Sequence, residues 1–221
     1  HLKVNINDPL TAFGDLRTTE LTPQVQLTFP YNINTDMIDV TTGNGGTVTQ
    51  SGSMAILNTS TSTSGDATLA SRNVVNYRSG LGGLARFTAM FTSGVSNSNQ
   101  VIGIGDSKDG FFVGYSGDAF GTLVRKDGVD DWTAQTGWNI DVMDGNDGGS
   151  NPSNMLLDKT KLNIFEISYQ WLGAGEIKYY VENPDTGGFA PIHRIKYANA
   201  NTTPSILNPS LTLFANVNNH G

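Results

Sequence analysis

The densest group of oxygen ligands in the chain is Asp141, Asp144, Asn146 and Asp147, set among glycines that permit sharp turns. Hard oxygen donors at this spacing suit Ca²⁺. The order of an EF-hand loop, with its terminal bidentate glutamate, is missing, and Asp-Gly and Asn-Asp pairs also build ordinary solvated turns. The same stretch offers a second chemistry. Sugar rings stack on aromatic faces while amides and carboxylates fix their hydroxyls, so Trp132 and Trp138 with Asp144 and Asn146 are candidate glycan contacts. Trp138 has a competing reading as core, given the area that a buried indole covers. Trp132, beside Asp130 and Asp131, reads as exposed.

Other chemistries find less. Glycoside hydrolysis needs two carboxylates facing one another across a groove. Glu166 stands alone on its strand, with Ser168 and Gln170 where a second acid would be. Only Glu176 and Glu182 on the following strand could complete a pair in space. His193 is the one histidine away from the termini. Between Ile192 and Ile195 it reads as lying on the polar face of a strand, a surface histidine rather than a ligand or base. A nucleophile elbow and a phosphate-binding glycine loop are both missing. No residue is assigned a catalytic role. The only cofactor with candidate ligands is Ca²⁺.

Short strands must position these residues. Gln24–Phe29 alternates polar and apolar side chains, the mark of a half-buried strand. Thr47–Gln50 and Met54–Leu57 read as a hairpin through Ser51-Gly52-Ser53, and Ala67–Ser71 as a strand. Leu84–Thr92 looks central to a sheet. Gly110–Tyr115 pairs with Gly121–Lys126 across Ser116-Gly117-Asp118. After the long Gly/Asp-rich loop that holds the candidate ligands, strands resume at Asn163–Trp171, Glu176–Val181, Ile192–Tyr197 and Leu211–Val217. About a dozen short strands divided by turn signals predict an all-β fold: an antiparallel two-sheet jelly-roll sandwich of the concanavalin or lectin-like kind.

At 221 residues the chain fits one β domain, which such folds reach at ~200–250 residues. It has no cysteine, so disulfides and thiolate metal sites are excluded. The net charge is −7, with lysines and arginines scattered almost singly, which argues against a nucleic-acid partner and against anionic membranes. No apolar run approaches a membrane span.

Several segments, in order, resemble a known group. They are Ala12-Phe13-Gly14-Asp15-Leu16-Arg17, Gly110-Phe111-Phe112-Val113, Trp138-Asn139-Ile140-Asp141-Val142-Met143-Asp144-Gly145, Leu157–Lys161, Ile164-Phe165 and Tyr169–Gly175. Together, over about Ala12 to Ala200, they resemble a family of virion structural proteins of tailed bacteriophages and marine viruses. That resemblance implies a place on the surface of a virus particle, in a fibre, an appendage or a capsid decoration. It implies as partners identical subunits, other virion proteins and a host surface glycan. It implies no catalytic residues. On this reading residues 1–23 form an anchoring arm, with Phe13, Leu16 and Arg17 as its contacts, and residues 24–221 form the sandwich. The competing expectation is a carbohydrate-active enzyme on a similar fold.

Overall fold

In the computed structural model, which describes residues 23–146 and 148–221, short turns set the strand register. Strand β1 (Ile38–Gly43) precedes the hairpin of β2 (Thr47–Ser51) and β3 (Met54–Asn58). Gly52 and Ser53 join that hairpin at φ 58° and 63°, the paired positive values of a type I′ turn. Then come β4 (Asp66–Ser71), β5 (Gly83–Ala89), β6 (Ser98–Gly105), β7 (Gly110–Ser116), β8 (Ala119–Lys126) and β9 (Val129–Ala134). A single 3₁₀ turn at Gln135–Gly137 leads into the long loop. β10 (Asn163–Tyr169), β11 (Ile177–Glu182), β12 (Phe189–Ile195) and β13 (Thr212–Asn219) follow.

All pairings are antiparallel. A seven-stranded sheet runs β1-β4-β13-β6-β7-β8-β9, and a four-stranded sheet runs β12-β11-β10-β5. The chain passes between the two layers after β4, β5, β9 and β12, the crossing habit of a jelly-roll sandwich. The expected all-β sandwich is therefore what the chain forms.

Alternation along the strands assigns each face. Ile104, Phe111, Val113 and Phe120 of the larger sheet meet Phe165, Ile167, Tyr169, Ile177, Tyr179 and Val181 of the smaller one in one buried core. Phe111 lies 5.0 Å from Tyr169, centroid to centroid, and Phe91 lies 5.3 Å from Phe120. Tyr179 is fully buried, and its hydroxyl donates to the Leu123 carbonyl at 3.0 Å, tying the smaller sheet to β8 of the larger. Burial pushes that phenol's pKa upward, and it raises that of Tyr169 to about 12.

The other face of the seven-stranded sheet is also apolar at its centre. Phe112, between the core residues Phe111 and Val113, points away from the main core. It packs with Val101, Leu123 and Phe214 in a second cluster flanked by Trp132 and Ala70. Its ring has room because glycines lie beneath it. A Cβ on Gly105 or Gly110 would stand 2.5 or 2.6 Å from the ring's Cζ.

Some expectations need correction. β5 is an edge strand, not a central one: its apolar content divides between core-facing Ala85 and Phe87 and exposed Leu84. Gln24–Phe29 has Val25, Leu27 and Phe29 half-buried, as its alternation predicts, but it joins no ladder; the Gln50 amide reaches the Phe29 carbonyl instead, at 2.9 Å. β1 and β9 escaped the sequence reading because Thr, Asp and Gly dilute their apolar pattern. The arm residues Phe13, Leu16 and Arg17 lie outside the described residues.

The Phe112 seat yields a test. Gly110→Ala sets a Cβ against both the Phe112 ring and the backbone of Ile104 and Gly105 and should destabilise the domain by about 1–3 kcal/mol, read as a lower urea midpoint with an unchanged slope.

Candidate functional site

The long loop that sequence marks as functional is largely built into the fold. Trp138 is 5% exposed and packs in the main core, 6.2 Å from Phe120. It therefore offers no face to a sugar, and its assignment as a glycan contact is corrected. Asn139 forms a reciprocal pair with β12: its amide donates to the Arg194 carbonyl at 2.7 Å, and the Arg194 N–H donates to its Oδ1 at 2.9 Å. The N–H groups of Ile140 and Asp141 both reach the Ile192 carbonyl. This segment thus occupies the outer edge of β12.

Asp141 is 2% exposed. Its Oδ1 accepts the Met143 N–H and its Oδ2 the Ser153 N–H, both at 3.0 Å. The carboxylate fastens the two ends of the loop. Asp144 and Asn146 lie at the exposed tip, where the Asn146 N–H and amide donate to the two Asp144 oxygens at 3.0 and 2.9 Å. Those bonds hold the Asp144 carboxyl below the ordinary aspartate range. Asp147 lies outside the described residues. Asp141 and Asp144 each spend both oxygens on neighbouring N–H groups. Among the described residues, no three His, Cys, Asp or Glu side chains gather where they could hold a metal.

His193 is another correction. The register slips by one residue at Tyr179/Tyr180, and this bulge turns both Ile192 and His193 inward, at 0% and 6% exposure. Strict alternation, which put His193 on the polar face, does not survive a bulge. The Asn139 N–H points at His193 Nδ1 at 3.4 Å, and burial lowers the imidazole pKa.

Of the three glutamates considered for hydrolysis, Glu166 and Glu176 are ion-paired. Arg86 Nε donates to Glu166 Oε2 at 3.0 Å, and Glu176 holds Lys178 at 2.9 Å and Arg194 at 2.8 Å. Cross-strand partners Arg86↔Glu166 and Lys178↔Arg194 place these charges on the outer face of the four-stranded sheet.

The site with open polar chemistry is elsewhere, on the outer face of the seven-stranded sheet. There a depression of about 330 Å³ is lined by Asp66 and Thr68 of β4, Phe214, Asn216 and Asn218 of β13, Arg125 of β8, Asp130 of β9, and the loop residues Ser107 and Gly128. Register brings its polar wall together, since Asn216 faces Thr68 and Asn218 faces Asp66. The Asn216 amide donates to Asp66 Oδ1 and Thr68 Oγ1, each at 2.8 Å. Asp66 Oδ2 and Asn216 Oδ1 have no hydrogen-bond partner among the described residues, and Asn218 Oδ1 is buried without one. On the opposite side Arg125 binds Asp130 through two nitrogens, at 2.6 and 3.0 Å, and its guanidinium carbon lies 5.3 Å from the Phe112 centroid. Buried Asp109 braces this rim by accepting the N–H groups of Asp127 and Leu207 at 3.3 and 2.8 Å.

Of the expected glycan contacts, only Trp132 shares this face. It is half-buried against the Phe112 cluster, opposite Leu123, and its Nε1 is buried without a partner. The structure does not bring Trp138, Asp144 or Asn146 to it. Sequence reasoning missed Asp66, Asn216 and Asn218. The available signal was the Asn216-Val217-Asn218-Asn219 run, in which amides recur at every second position of a strand.

No family model matches the chain, and no curated protein matches it. Among solved structures, the carbohydrate recognition domain of Emp47p superposes over 87% of this chain and 86% of its own, with a TM-score of 0.43 and 10% sequence identity.

Two outcomes follow from this geometry. Asp141→Ala orphans two N–H groups and should cost about 2–4 kcal/mol, with early proteolytic cleavage between residues 141 and 155 as the local signature. His193 binds its proton more weakly when folded than its ordinary 6.5, so the unfolded state takes up more protons as pH falls below that value. Stability should therefore be full above pH 6.5 and decline from there down through the lower folded pKa; His193→Gln should flatten that part of a pH series of urea melts.

Proposed function

We propose that the domain is a non-enzymatic glycan-binding module carried on the surface of a virus particle, with the outer-face depression as its sugar site. The observation that carries this reading is the wall of Asp66 and Asn216, where Asp66 Oδ2 and Asn216 Oδ1 have no hydrogen-bond partner among the described residues. A sugar needs acceptors fixed in advance for its vicinal hydroxyls. The charged lining consists of two carboxylates and one guanidinium that is already paired, so neutral sugars suit it better than sialylated or sulfated ones.

Binding is favoured over hydrolysis by the state of the acids. Hydrolysis requires two carboxyls free to act across a groove. Asp130 accepts two hydrogen bonds from the Arg125 guanidinium, Glu166 is paired with Arg86, and Glu176 with Lys178 and Arg194, so each of these acids is already engaged by a cation. The placement on a particle rests on the resemblance of the ordered motifs to virion structural proteins.

A glycan array followed by calorimetry tests the reading. A neutral glycan should bind, and Asp66→Ala should weaken it about 10–100-fold, as expected for loss of a charge-assisted hydrogen bond, with the fold intact by circular dichroism. Binding that survives both Asp66→Ala and Asn218→Ala would place the site elsewhere.

A further inference from the structure

The two main sheets have four edges, and two are blocked. The edge of β12 is occupied by Asn139–Asp141. β9 exposes the adjacent acids Asp130 and Asp131. Charge and cover of this kind are how soluble proteins stop strands adding to a sheet. β1 and β5 each carry one charge, and both charges are ion-paired: Asp39 with Arg72 at 2.7 Å, and Arg86 with Glu166. Among the described residues β5 has no cover. One side pairs with β10 over its whole length, and among the described residues no strand pairs with the other. It contains no proline and no bulge. Its one charge, Arg86, is held by Glu166 at 3.0 Å and lies 4.3 Å from the Phe189 ring centroid. Exposed apolar side chains flank it: Leu84 at 40%, Met90 at 53% and Leu162 at 61%.

The strand is also complementary to itself. An antiparallel pair of β5 strands with a two-fold axis at Phe87 sets Leu84 opposite Met90, Ala85 opposite Ala89 and Arg86 opposite Thr88. The two exposed apolar residues then cover each other on the outer face. Half-buried Phe87 meets its own copy on the core side, and no like charges stand opposite. A two-fold contact of this type is closed and uses one patch twice. We propose that the β5 edge is a homodimer interface, in which two copies of this chain join their four-stranded sheets into one of eight strands through antiparallel β5–β5 pairing centred on Phe87. The pairing does not depend on the ligand site, which lies on the other sheet.

Sedimentation of the full chain over a micromolar concentration series tests it, with charge reversal to fix the register. The wild type should sediment at twice the 23.6 kDa chain mass. L84K/M90K sets lysines opposite each other twice and should sediment as monomer. L84E/M90K sets opposite charges at the same places and should restore the dimer. Both substitutions are at exposed positions, and circular dichroism checks that the fold is kept. A wild-type monomer throughout the series, a dimer that persists in L84K/M90K, or a failure of L84E/M90K to recover would each overturn the proposal.

Discussion

The structure depends on one strand that buries a phenylalanine on each of its faces. Phe111 and Phe112 are successive residues of β7 and both are fully buried. Phe111 closes the main core against Tyr169, while Phe112 holds the outer face together against Phe214. Full burial of a side chain of this size is worth about 2–3 kcal/mol each. A sheet stabilised on both faces can present a shaped outer surface instead of a flat polar one. The glycines beneath Phe112 make this possible, because the ring occupies the space where their side chains would be. The candidate ligand site follows from it: Phe214 and the guanidinium of Arg125 both rest on the Phe112 cluster and border the depression.

The loop from Trp138 to Leu157 solves a different problem. A four-stranded sheet has two edges, and β12 is one of them. By burying Trp138, Val142, Met143 and Leu157 the loop is anchored in the core. By pairing Asn139 and the following N–H groups with β12 it satisfies that edge without adding a strand. Its acids serve the same purpose, since Asp141 holds backbone N–H groups at both ends. A loop rich in Asp and Gly thus looks like a ligand site in sequence and behaves as a plug in space. Among the described residues the β5 edge lacks such a cover.

The polar wall of the depression illustrates why sites on sheet faces are hard to read from a chain. Asp66 and Asn216 are 150 residues apart in sequence and 2.8 Å apart in space. Their meeting is a matter of register between β4 and β13, which only the assembled sheet specifies. The ion pairing of the glutamates has a related origin: Glu166 and Glu176 share a face with Arg86, Lys178 and Arg194, whose positions beside them are again a product of register.

The sequence by itself determined what depends on near neighbours. Alternating side chains and turn residues fixed the two hairpins at Gly52-Ser53 and Gly117-Asp118, most of the strands, and the all-β layered class, because strand pleat and turn conformation are set within a few residues. Tertiary structure decided everything that requires two distant strands to be neighbours. It made β5 an edge. It turned His193 inward through a one-residue bulge. It buried Trp138 and Asp141, and it assembled Asp66, Asn216 and Asn218 into one wall. The physical reason is that burial and hydrogen-bond partnership belong to the packed sheet, whereas periodicity records only which side of a strand a residue is on.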